Sequence, residues 1–133
     1  MLVRATQKKF TVSVVALIRN SEGKVLLLDH LIRPGASWGL PGGFVEPSEQ
    51  PEDAIVRELL EETGLSIESV RLVEVRTIGR HVEVLFHARA EGDPVPGSRE
   101  IRSAGWFRSS ELPEDLSEVQ RRKILKELND EPA

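Results

Sequence analysis

The chain has 133 residues, 39% hydrophobic and 30% charged, with 18 basic and 22 acidic side chains for a net charge of -4. That length suits a single domain over residues 1–133, able to bury roughly two thirds of its unfolded surface. No apolar run approaches the roughly 20 residues of a membrane span, the opening "MLVRATQKKF" lacks a signal-peptide core, and there is no cysteine for disulfides, thiolate metal sites or nucleophiles. A cytoplasmic location is expected. The mild acidity argues against stable binding to nucleic acid, which takes clustered Lys and Arg. It leaves room for a small phosphorylated ligand whose charge is met by metal ions.

In chain order, "FTVSVVALIRN" (Phe10 to Asn20) is rich in β-branched residues and predicts a strand. The turn chemistry of "NSEGK" joins it to a second strand, "KVLLLDH", as a hairpin. "LIRPGAS" reads as a loop, followed by a short extended piece at Trp38 to Leu40 and the punctuation Pro41-Gly42-Gly43. Pro51 suits the first turn of a helix and Gly64 the position just past its end, so a helix is predicted over Pro51 to Thr63. Gln50 is a weak N-cap there, while Glu52 and Asp53 favour the positive end of the helix dipole. "SVRLVEVRTI", "HVEVLFHARA" and "IRSAGWF" read as strands, with "EGDPVPGS" a loop between the last two. "LPEDLSEVQRRKILKEL" predicts a closing amphipathic helix that buries Leu116, Val119, Ile124 and Leu128. Strands mixed with two helices define an α/β or α+β domain.

The densest chemistry lies in "GGFVEPSEQPEDAIVRELLEETGL", Gly42 to Leu65, where seven acids accompany one arginine, Arg57. On a wheel of 100° per residue with Glu58 at zero, Glu61 falls near -60° and Glu62 near +40°. Val56, Leu59, Leu60 and Thr63 fall at roughly 100° to 200°, the side expected to bury. A solvated acidic face is the ordinary explanation for helical glutamates. Here it is weakened, because like charges at i,i+3 and i,i+4 each cost about 0.2–0.5 kcal/mol and no lysine at i+4 offsets them. Three oxygen donors on one face suit a hard divalent cation. Gly42 and Gly43 just ahead let the backbone approach a ligand or metal closely.

Gly43, five residues, Glu49, seven residues, then "RELLEETGL" fills the pattern of the Nudix box without a gap. Seven of those positions demand one residue type, so a chance match is on the order of one in a million or rarer. The chain therefore resembles the Nudix hydrolases, and "WGLPGG" and "GWFRSSELP" are similar to Nudix sequence as well. The resemblance implies an α/β/α sandwich around a mixed sheet, and Mg2+- or Mn2+-assisted attack of water on a nucleoside diphosphate linked to another group. It implies Glu61 and Glu62 as metal ligands, Glu58 as a ligand or the base, and the Gly43 carbonyl as a further ligand. Arg57 would orient Glu49 and its neighbours. An acid from outside the box often completes such sites, and Glu100 is the candidate, ahead of Glu83 and Glu111. Where family members commonly carry glycine before Glu49, this chain has Ser48.

Several family branches are disfavoured by absences. There is no cysteine and no tyrosine, no "SQPWPFPxS"-like run, and no proline about 15 residues beyond the box. Nucleoside triphosphates or nucleotide sugars remain as substrates. Arg33, Phe44 and Arg80 are candidates to touch substrate, with Trp38 and Phe86 as weaker stacking candidates. His30, His81 and His87 lack ligand-like spacing and read as ordinary strand or surface residues. The alternative is a nucleotide-sensing Nudix-fold module that does not cut its ligand, which a complete box argues against. The resemblance also allows a homodimer.

Overall fold

Strands covered on both faces must be nearly continuous in apolar residues, and β1 (Thr11–Arg19) and β2 (Val25–His30) are such strands. They form the middle of the sheet in a computed structural model that describes residues 7–31 and 37–130. β1 runs parallel to β6 (His81–Arg89) along its whole length, from Thr11↔His81 to Arg19↔Arg89. Its other edge is divided. β4 (Gly42–Phe44) pairs antiparallel with the first half, Ser13 opposite Phe44 and Val15 opposite Gly42, and β2 meets β1 at Arg19↔Val25. β2 instead pairs with β7 (Ile101–Phe107) and with β3 (Trp38–Gly39), and β5 (Glu68–Ile78) forms the outer edge beside β6. The order is β3-β2-β1-β6-β5, with β4 on β1 and β7 on β2.

The predicted β1–β2 hairpin thus exists as a turn but opens after one register pair, because β4 occupies the edge that a full hairpin would need. The Gly42–Gly43 segment, read in sequence as punctuation, is the strand that does so.

Alternation along β1 and β2 builds two cores. Val14, Ala16, Ile18, Leu26 and Leu28 pack with Ala54, Ile55 and Leu59 of the helix α1 (Pro51–Thr63). Leu17, Val25 and Leu27 pack on the other face with Leu40, Leu116 and, from the second helix, α2 (Glu118–Asp130), Ile124. The result is the mixed sheet between two helices that the sequence predicted.

α1 has the predicted bounds, with Gly64 in the left-handed conformation at φ 74° and Gln50 offering no side-chain cap. Its buried face differs from the wheel. Ala54, Ile55, Leu59, Glu62 and Thr63 are buried, whereas Val56 and Leu60 are exposed. The buried arc is therefore centred near Ile55 and Leu59 and includes Glu62. Ala54 and Ile55 in the first turn pull the apolar face toward the acids, and the glycines of β4 leave space for carboxylates at the interface. α2 begins later than predicted, because Ser117 caps it: the Gln120 N–H donates to Ser117 Oγ at 3.2 Å and the Arg121 N–H to the Ser117 carbonyl at 2.9 Å. Leu116 and Ile124 are buried and Leu128 half-buried as expected, but Val119 lies 63% exposed.

Candidate active site

The split edge of β1 opens a cleft of about 620 Å³. Gly43, Phe44, Arg57, Glu58, Glu62 and Glu100 are among its lining. Gly42 is required by space, whereas Gly43 faces only the movable end of a side chain. A Cβ on Gly42 would collide with the Val14 carbonyl across the ladder, and one on Gly43 would collide with the Glu58 carboxylate. The Gly43 backbone and that carboxylate are therefore in direct apposition.

Arg57 organises the acids around it. Its Nε and Nη2 donate to the two oxygens of Glu49 at 2.7 and 2.9 Å, a bidentate pair. Nη1 donates to Glu58 at 3.0 Å and to Glu61 at 3.3 Å, and Nη2 to the Phe44 carbonyl at 3.2 Å. Glu46 lies 3.7 Å from Nη1, and its N–H donates to Glu49 at 3.0 Å. The guanidinium hydrogen bond is the largest reason that the Glu49 carboxyl is pulled down to about 2.

Glu62 is the opposite case. It is 8% exposed, and its Oε1 has no hydrogen-bond partner among the described residues. Burial pushes its carboxyl up to about 8, with the charges of Glu58, Glu100 and Glu61 adding to the effect and a hydrogen bond from the Gly42 backbone opposing it. Burial also raises Glu58, against the pull of Arg57. Two adjacent carboxylates thus sit where ionisation is costly, a pattern typical of functional sites. As they stand, no three acidic or histidine side chains among the described residues are gathered as a metal-binding group, since Glu58 and Glu61 are turned onto Arg57.

The other candidates divide. Glu61 is exposed and outside the cleft lining, tied to it through Arg57. Glu83 lines the cleft and pairs with Arg76 at 3.1 Å, while Glu111 lies elsewhere, beside Arg108. Phe44 stands at the cleft, 64% exposed, with its ring 6.0 Å from that of His81. Trp38 packs edge-on against Phe107 at 5.1 Å and Phe86 is buried in the core, so neither offers a free stacking face. Arg80 is exposed at the β5–β6 turn and is not part of the cleft lining. Arg33 lies outside the described residues. Sequence reasoning missed Ser13, His30 and Gln120, which also line the cleft. Nothing in the local sequence marks Gln120, whose Oε1 accepts the Leu40 N–H at 3.0 Å only because α2 packs there.

Ser48 has φ 64°, the left-handed region that favours glycine. Ser48→Gly is expected to raise stability by about 0.5–1 kcal/mol, the relief of strain exceeding the added entropy of the unfolded chain. Thermal unfolding checks this, and activity should be unchanged.

A mixed sheet thus lies between two helices, with an arginine-clamped acidic helix set against paired glycines. The model of the NUDIX domain matches residues 9–128. A MutT-like protein of Streptomyces ambofaciens is 30% identical over 121 residues, covering 90% of this chain and 77% of that protein. The NAD-capped RNA hydrolase NudC of Pectobacterium atrosepticum is 34% identical over 104 residues; the match covers 76% of this chain but 40% of NudC. Among solved structures, the MutT NUDIX hydrolase of Burkholderia pseudomallei superposes with a TM-score of 0.76 at 31% identity, over 89% of this chain and 98% of that one. The chain belongs to the Nudix family and is a pyrophosphohydrolase by class. Nudix hydrolases use divalent cations and act on small nucleotides.

Proposed function

We propose that this chain acts as one domain to hydrolyse the diphosphate linkage of a nucleoside diphosphate joined to a second group. A nucleoside triphosphate or a nucleotide sugar is the substrate, and Mg2+ or Mn2+ the cofactor. The observation that carries this reading is Glu62: a buried carboxylate with an unpartnered oxygen beside Glu58, at the back of a cleft. Its surroundings suit a cation, being oxygen-rich and close to the backbone at Gly43. Glu58, Glu61, Glu62 and the Gly43 carbonyl would hold the ion, with Glu100 as the ligand from outside the helix.

When bound, the cation supplies charge neutralisation at the phosphoryl group and acidifies water. The chain's own residues do the rest. Glu46, Glu58, Glu62, Glu83 and Glu100 line the cleft, and the arginine among them, Arg57, is spent on carboxylates. Without added positive charge the cleft repels a polyphosphate. Glu58 or Glu61 accepts the proton of the attacking water, Arg57 keeps both in place through Nη1, and Phe44 offers an exposed ring to the substrate. The absence of an "SQPWPFPxS"-like run disfavours the NADH pyrophosphatase branch.

The test is incubation with Mg2+ or Mn2+ and a panel of nucleoside triphosphates and nucleotide sugars. Release of phosphate, pyrophosphate or a monophosphate is expected, and Glu61→Gln should lose it while keeping the fold. Binding of a nucleotide with no release from any of them would replace hydrolysis by sensing.

A further inference from the structure

The loop "EGDPVPGS" between β6 and β7 carries no catalytic side chain, yet it is tied down along its length. At its start, the Trp106 indole Nε1–H donates to the Gly92 carbonyl at 2.8 Å. In its middle, the Val95 N–H donates to the Thr63 carbonyl at 2.9 Å and the Gly97 N–H to the Glu62 carbonyl at 3.0 Å. These carbonyls belong to the last turn of α1, where a helix has no acceptable partners of its own. Gly97 passes so close that a Cβ would collide with the Glu61 carbonyl. At its end, Ser98 Oγ accepts the Glu100 N–H at 3.1 Å, and the Glu100 carbonyl accepts the Leu31 N–H at 2.7 Å. The backbone carbonyls of Glu62 and Thr63 are thus hydrogen-bonded to the segment that delivers Glu100, and the Glu61 carbonyl lies against Gly97.

We propose that residues 92–98 form a positioning strap, anchored by Trp106, that sets Glu100 in place against Glu62. Trp106 is the positioning residue, and it acts from outside the cleft. The inference rests on the metal-holding roles proposed above for Glu62 and Glu100. Glu62 and Glu100 line the same cleft, and the charge of Glu100 acts on Glu62. A carboxylate on an exposed loop would wander and contribute little to an ion's shell. Fastening the loop to the helix that carries the other ligands removes that freedom before the ion arrives.

Trp106→Phe removes the Nε1–H donor while keeping an aromatic ring, and so spares the packing of β7. Mn2+ binding by the full chain, followed by electron paramagnetic resonance without substrate, should weaken by about tenfold, the usual scale for an outer-shell partner. Glu100→Gln should weaken it at least as much. The double variant should then bind Mn2+ no worse than Glu100→Gln alone, because a misplaced ligand and a missing one are the same loss. Additive losses, or wild-type Mn2+ affinity in Trp106→Phe, would overturn the strap. Wild-type affinity in Glu100→Gln would overturn it too, while leaving hydrolysis by the remaining acids standing. Absence of Mn2+ binding by the unmodified chain would remove the parent reading along with it. Gly97→Ala provides a second approach: it pushes the strap off α1, and the same loss of Mn2+ affinity is expected.

Discussion

Replacing Glu62 with glutamine is expected to stabilise the metal-free protein at pH 8 and at the same time to cost it most of its activity. The carboxyl of Glu62 is raised from 4.5 to about 8 in the fold, chiefly by burial. Between those values the folded protein holds a proton that the unfolded chain has released. Stability therefore falls as pH rises through that window. Glutamine has no proton to lose and resembles the protonated acid in shape. The gain at pH 8 should be on the order of 4 kcal/mol, and it should shrink to almost nothing near pH 4.5. Thermal unfolding of both proteins in a chelator, from pH 5 to pH 8, reads this directly. In Mg2+ the order should reverse, since the ion stabilises only the chain that binds it. The expected fall in kcat is at least about a hundredfold, the size of losing one oxygen ligand to a charge-neutralising cation. An equal slope of stability against pH in both proteins would show that Glu62 is not the group responsible.

Arg57→Lys should be far from conservative. Lysine keeps the charge, but it cannot bind both oxygens of Glu49 while also reaching Glu58, Glu61 and the Phe44 carbonyl. A loss of about 1.5–3 kcal/mol is expected, the range for hydrogen bonds to charged groups. Acid resistance should fall as well. Because Arg57 holds the Glu49 carboxyl down to about 2, its pairing contributes stability above pH 4.5 that is lost as pH drops toward 2. The acid-unfolding midpoint of Arg57→Lys should therefore move to higher pH. Activity should decline with a raised metal requirement, since Glu58 and Glu61 lose their shared donor. A variant with wild-type acid unfolding would show that the bidentate pair carries no load.

How far the chain could be read before its fold was known depends on how local the physics is. The bounds of α1 are local: Pro51 fits its first turn and Gly64 its left-handed end, and both hold in the structure. So are the strands at Thr11–Arg19 and His81–Arg89, whose alternation and β-branching are written in a few consecutive residues. The start of α2 was also local, in Ser117, but the acidic residues ahead of it masked that cap. The face that α1 buries was not legible. The wheel weighed Val56 and Leu60 as core, and they are exposed, because which apolar arc wins depends on what the helix lands upon.

The sequence by itself determined the class of the protein and most of its chemical inventory. Spacing along one helix groups Glu58, Glu61 and Glu62, and spacing from Gly43 to Gly64 marks the family, since both are set by 3.6 residues per turn and by the order of the chain. Only the tertiary structure decided what those acids experience. Glu62 became the buried, proton-holding member because it falls on the face of α1 that packs against the sheet. Glu49 became the fully ionised one because Arg57 folds back across eight residues to meet it. Glu100 joined them through a loop stitched to a helix more than thirty residues earlier, a neighbourhood that no window of sequence contains.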